Sequence, residues 1–133
     1  VERIPAFREI RLGDWEGLPV AEIARRFPDQ WFERGAHLAT YRPAGGESFE
    51  DLKERVIPAF DRIVSEANGD IMVVAHGGVN RVILCHLLEA PLDNVFRLGQ
   101  DYGSLNLIEF HGGSFEISVV NMRPKFNGQF RIL

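Results

Sequence analysis

The 133-residue chain carries 15 Lys and Arg against 19 Asp and Glu, a formal charge of −4, with 45% hydrophobic and 26% charged residues. That composition suits one soluble globular domain over residues 1–133, leaves too little chain for two, and argues against a nucleic-acid surface, where a clustered basic excess is expected. The single cysteine, Cys85, excludes a disulfide within the chain, and no apolar run reaches membrane-spanning length, so a cytoplasmic protein without nucleic-acid or membrane partners is expected.

Residues 7–18, FREIRLGDWEGL, are dense in glycine, acid and aromatic residues without a sustained period, and read as a shaped loop. Gly13 and Gly17 let the backbone turn sharply around Trp15 while Leu12 and Trp15 pack inward, leaving Glu9 or Glu16 to point elsewhere. On these residues alone both glutamates read as solvated loop charges. Val20, Ile23, Ala24 and Phe27 then mark one face of a short helix, with Pro19 suited to its first turn and Pro28 ending it. A second helical stretch is expected over 29–35. Arg25 and Arg26 fall off the apolar face, either as solvated charges or as aids to the approach of a charged substrate.

Residues 37–46 lack a period and read as a loop. Ser48 opens a long amphipathic helix whose stripe is Phe49, Leu52, Val56, Phe60, Ile63 and Val64; Ser48 with Asp51 resembles a capping box, and Pro58 is expected to bend the helix. Asn68-Gly69 stops it. The following run, Ile71-Met72-Val73-Val74-Ala75, has no polar alternation and is too short for a helix, so it reads as a strand buried on both faces, as in a parallel sheet covered by helices. His76 stands at that strand's carboxyl end. Gly77 and Gly78 follow, then Val79, Val82, Ile83 and Leu87 at helical spacing, so backbone N–H groups open a helix beside His76. Such a place favours an anion and makes His76 a candidate for chemistry on a phosphate, although a lone histidine there is more often structural. Cys85 reads as a small core residue of this helix.

Residues 92–102 read as a loop with a short helical turn at 93–96. Two strand-like runs, 105–110 and 115–120, flank His111-Gly112-Gly113-Ser114, whose length and glycines fit a hairpin, with His111 as a turn residue. The tail from Met122 to Leu133 has no period and is left unassigned.

Taken together and in this order, FREIRLGDWEGL, PAGGESFEDLKERV and IMVVAHGGVNRVILCHLL resemble the histidine phosphatase superfamily, the phosphoglycerate-mutase-like enzymes, and within it the phosphatase branch that includes α-ribazole phosphatase. The resemblance implies an α/β fold of three layers, α/β/α, with a mostly parallel central sheet. It also implies a phosphohistidine mechanism: a histidine from an Arg-His-Gly motif attacks the phosphate ester, a carboxylic acid protonates the departing alcohol, and water then releases the phosphate. By position, Glu9 matches the proton donor and His76 the second histidine flanking the phosphoryl group. An alkoxide leaving group needs a proton, and a carboxyl beside a dianionic phosphate can supply one. The positioned donors of His76 and the Gly77 amide would stabilise the transferring group without metal or cofactor. Glu47 and Ser48 match a Gly-Glu-Ser element bordering the pocket, Ser48 having the competing role of a helix cap.

The chain departs from the pattern in lacking the Arg-His-Gly motif. Only His76 and His111 precede glycine, the first in the second-histidine motif and the second on a hairpin. The nucleophile and the phosphate-clamping arginines are therefore expected upstream of Val1. The chain alone is expected to lack turnover, its central sheet completed by an upstream segment, by exchange with a second copy, or by rearrangement of its own strands. The leading function is a phosphomonoesterase acting on a small phosphorylated substrate. The alternatives are a phosphoglycerate mutase, which would re-transfer the phosphoryl group, and a catalytically dead module that binds phosphorylated ligands or a partner protein.

Overall fold

Helix α3 (Phe49–Glu66) shows most directly how the sequence sets the structure. Ser48 Oγ accepts the Asp51 N–H at 3.1 Å while Asp51 Oδ2 accepts the Ser48 N–H at 2.8 Å, a reciprocal capping box that fixes the first turn. Phe49, Leu52, Val56, Ile57 and Phe60 are buried at helical spacing, whereas Ile63 and Val64 are half-buried, so the stripe fades toward the carboxyl end. The helix continues through Pro58, which removes one backbone donor without ending it.

The structure is a computed structural model that describes residues 1–123, so the unassigned tail lies, from residue 124 on, outside the described residues. It divides into two compact units, Val1–Phe96 and Arg97–Leu133. In the first, α3 packs against α4 (Gly77–Leu87), which buries Gly78, Val79, Val82, Ile83, Leu84 and Cys85. Each large apolar side chain buried this way contributes about 1.5–3 kcal/mol relative to exposure. Burial pushes the Cys85 thiol pKa up, in keeping with a core position. Helices α1 (Val20–Arg26) and α2 (Pro28–Ala36) lie where helical spacing was read. Pro28 both follows α1 and occupies the first turn of α2, where its missing N–H costs nothing. Trp15, in a 3₁₀ turn at Gly13–Trp15, is buried, stacked on Tyr41 at 5.6 Å and tilted against Trp31 and Phe27. Leu92 and Val95 are buried in a further 3₁₀ turn, Leu92–Arg97.

The run 71–75 differs from its sequence reading. It forms no strand, and Ile71, Met72, Val73 and Val74 are exposed by 48%, 84%, 36% and 87%. A strand exists only through a partner, and among the described residues none lies alongside it. The expected central parallel sheet is accordingly not present in residues 1–123.

The sheet among the described residues is an antiparallel hairpin in the second unit, β1 (Leu105–His111) and β2 (Ser114–Met122). Its two-residue loop has φ of 54° at Gly112 and 96° at Gly113, the positive values a tight hairpin turn demands. Asn106 and Gln100 exchange side-chain hydrogen bonds, and Asp101 accepts from Arg123 and Asn121. Among the described residues, helices and this hairpin make a mixed α/β content, and no helix is long and apolar enough to cross a membrane.

Candidate functional site

His76 is the last extended residue before α4, with φ −124° and ψ 165°, and its carbonyl accepts the Asn80 N–H at 2.9 Å, beginning the helix. Its side chain is exposed. Two residues on, the Gly78 N–H donates to Glu9 Oε2 at 3.2 Å, and Glu9 Oε1 accepts the Ile10 N–H at 2.9 Å. The Glu9 carboxylate thus sits over the first turn of α4, where the helix's unsatisfied amides and dipole favour a negative group. Gly78 leaves room for it there: a Cβ on Gly78 would stand 2.4 Å from Glu9 Oε1, so the carboxylate would have to shift. Glu16, the other loop glutamate, accepts the Leu12 N–H at 2.7 Å and closes its own loop. Of the two, Glu9 is the one that reaches α4.

Glu9 is held there by the backbone around it. Arg55 of α3 donates from Nε and Nη2 to the two oxygens of Glu47, each at 2.9 Å, and from its remaining N–H groups to the carbonyls of Ala6, Arg8 and Glu9. Glu47 also accepts the Arg11 N–H at 3.0 Å and Arg8 Nη2 at 3.1 Å, and its own N–H donates to the Arg11 carbonyl at 2.8 Å. The Arg55 hydrogen bond, then the Arg11 amide and the Arg8 and Arg55 charges, hold the Glu47 carboxyl below the usual carboxylate range against the opposing effect of burial. Glu47 is buried and both its oxygens are occupied from within the chain. The loops are pressed together so closely that a Cβ on Gly13 would stand 2.0 Å from the Ala44 carbonyl oxygen.

The remaining sequence candidates fall as follows. Gly77 opens α4 beside His76, and a Cβ on it would lie 3.0 Å from Arg81 Nη1. Ser48 is buried as the cap of α3, with its partner Asp51 forked by Arg42 at 2.7 and 2.5 Å. Arg25 and Arg26 both pair with Glu22. Arg55 was not singled out by sequence. Its one signal was position: it follows the buried Leu52 by three residues, a charged side chain at the border of an apolar stripe.

A family model for the histidine phosphatase superfamily (branch 1) matches residues 1–123. The bifunctional protein Rv2228c of Mycobacterium tuberculosis is 36% identical over 115 residues, which are 85% of this chain and 31% of that protein. The mycobacterial glucosyl-3-phosphoglycerate phosphatase, in a structure with VO3, is 30% identical with a TM-score of 0.74, covering 89% of this chain and 63% of that one. The α-ribazole phosphatase of Shigella flexneri shares the fold at a TM-score of 0.77 and 23% identity, covering 92% of this chain and 61% of that one. The chain therefore spans about a third of the curated relative and about three fifths of the two solved structures.

Proposed function

Since the chain belongs to the histidine phosphatase superfamily, we propose that it supplies the acid side of a phosphomonoesterase site whose nucleophilic histidine comes from outside these 133 residues. In this reading the nucleophile's ring nitrogen forms a bond to phosphorus as the bond to the ester oxygen breaks, and Glu9 gives its proton to the departing alkoxide. Water then attacks the phosphohistidine, the N–P bond breaks, and the Glu9 carboxylate takes the proton water loses. His76 and the Gly77 amide face the phosphoryl oxygens and stabilise the charge that spreads over them. Glu47 and Ser48 act one step back, holding the walls, and Ile71–Ala75 joins the mostly parallel sheet of a three-layer α/β/α fold in the whole protein.

The single observation that supports this most is the Glu9 carboxylate on the Gly78 amide, two residues from His76. The substrate alcohol is the finer question. α-Ribazole phosphate is one candidate, carried by the motif resemblance and by the fold shared with the Shigella flexneri enzyme.

The test uses the longer protein that contains this chain. Glu9→Gln should slow hydrolysis of alkyl phosphates by about 10²–10⁴-fold, the range of general-acid catalysis, and slow p-nitrophenyl phosphate far less, because nitrophenolate leaves without a proton. Equal losses on both esters would reject Glu9 as the acid. Release of inorganic phosphate, against transfer to a second alcohol, separates a phosphatase from a mutase.

A further inference from the structure

The chain leaves α3 for the run 71–75 through Ala67, Asn68, Gly69 and Asp70. The helix ends at Glu66 and its C-cap Ala67 is already extended, with φ −68° and ψ 132°, so Asn68 and Gly69 belong to neither a helix nor a strand. Both are exposed. Among the described residues no hydrogen bond holds the Asn68 side-chain amide or the Gly69 N–H. A Cβ on Gly69 would meet nothing within 4 Å. The other asparagines among the described residues are placed differently. Asn80 lies inside α4 and Asn94 inside the 3₁₀ turn Leu92–Arg97. Asn106 and Asn121 engage their side chains with Gln100 and Asp101. None of these four precedes glycine.

An asparagine amide reacts with the backbone nitrogen of the next residue only where the chain can bring the two together. A following glycine allows it, because a residue without Cβ reaches backbone conformations closed to the others. Helices and ladders oppose it by fixing the backbone and engaging the N–H. Asn68-Gly69 is under neither restraint. The Gly69 nitrogen, giving up its proton, forms a bond to Asn68 Cγ as the bond from Cγ to Nδ2 breaks; Nδ2 leaves as ammonia and a succinimide ring closes. Water, the one co-reactant, then opens the ring at either carbonyl. Attack at Cγ yields aspartate. Attack at the backbone carbonyl yields isoaspartate, in which the main chain runs on through Cβ and Cγ and the α-carboxylate hangs free.

We propose that Asn68 is a modification site of this protein, ageing to isoaspartate and aspartate. Both products place a new negative charge in the connection that leads to the run 71–75 and His76, and the isoaspartyl form also lengthens its backbone by one carbon. The proposal stands apart from the phosphatase reading, since it needs no turnover.

The test incubates the longer protein, folded, for weeks at neutral pH and body temperature. Peptide mapping with fragmentation to single residues then locates each exchange of NH2 for OH, and a purified isoaspartyl methyltransferase with labelled S-adenosylmethionine marks isoaspartate. Both signals should appear at Asn68 well before Asn80, Asn94, Asn106 or Asn121. A second Asn-Gly pair, Asn127-Gly128, lies outside the described residues and is scored separately. Gly69→Ala, whose methyl meets nothing, should lose most of the conversion at Asn68, and Asn68→Ser should lose all of it. The same incubation in guanidinium chloride reads the unfolded chain. Conversion there but not in the folded protein would mean that the fold protects the site, and would overturn the proposal. So would conversion in neither state, or conversion in the folded protein that Gly69→Ala leaves unchanged.

Discussion

Two stretches of the first unit, 6–11 and 71–75, meet opposite fates. Past the 3₁₀ turn at Pro5–Phe7 the loop has no regular structure, yet its backbone is tied down at almost every residue: Arg55 takes the carbonyls of Ala6, Arg8 and Glu9, and Glu47 takes the N–H of Arg11. The apolar run has a strong strand-forming composition and is paired with nothing among the described residues. The difference teaches that order here follows the supply of partners more than local propensity. One half-buried arginine with its buried carboxylate organises the loop, while four apolar residues, Ile71 to Val74, stay exposed for want of a neighbour.

Breaking the well-supplied side should have the largest effect. Removing the Glu47 carboxylate with Glu47→Ala leaves the half-buried Arg55 without its countercharge, and the loss should approach, as its upper bound, the about 3–5 kcal/mol of a fully buried pair. Urea unfolding of the longer protein should show this as a lower midpoint, together with reduced turnover, because Glu9 loses the frame that aims it. The same pair makes the protein acid-sensitive. The folded Glu47 pKa lies below its unfolded value of about 4.3, so its contribution is complete above that pH and is lost as pH falls through the depressed folded value. Glu47→Gln should therefore flatten the stability profile below about pH 4.

A smaller and more local break compares adjacent glycines. Alanine is favoured over glycine in a helix by about 1 kcal/mol, so both Gly77→Ala and Gly78→Ala gain on propensity. At Gly77 the added methyl meets Arg81 Nη1 at 3.0 Å, the far end of a flexible side chain that can give way. At Gly78 it meets Glu9 Oε1 at 2.4 Å, again the far end of a flexible side chain, so the methyl is accommodated by moving the carboxylate off the Gly78 amide. Gly78→Ala should therefore lose turnover with little loss of stability, and Gly77→Ala should be neutral or slightly stabilising. Equal behaviour of the two would mean that Glu9 is not lodged against α4.

What was legible in the sequence follows the same division. Elements set by contiguous residues were readable: the Ser48–Asp51 cap, the Gly112-Gly113 turn, and the short helices around Pro28 all lie where their local chemistry put them. Glu9 and His76 were paired by a motif resemblance, since nothing local says that a loop glutamate reaches the Gly78 amide 69 positions away. Arg55 was not singled out for a matching reason. Its meaning depends on which carboxylate and carbonyls the fold brings to it, and single-chain periodicity carries no record of them. The run 71–75 misled in the other direction: its pattern describes burial on both faces, and burial requires covering elements that residues 1–123 do not provide.

The smallest expected effect tests the poorly supplied side. Among the described residues Val74 is 87% exposed and its backbone is paired in no ladder, so in the 133-residue chain Val74→Ser should remove almost no buried area and break no packing. Substitutions at such sites stay within about 0.5 kcal/mol. The amides of 71–75 should exchange with solvent through openings near zero free energy, while those of α4, packed against α3, should be protected. In the longer protein, where we place this run inside a sheet, the same substitution should cost about 1–3 kcal/mol and the amides should become slow to exchange. The contrast between the two proteins is the measurement. Fast exchange and a negligible loss in both would mean that the run stays bare in the whole molecule. Slow exchange already in the 133-residue chain would mean that it finds a partner there, and light scattering would show whether that partner is a second copy.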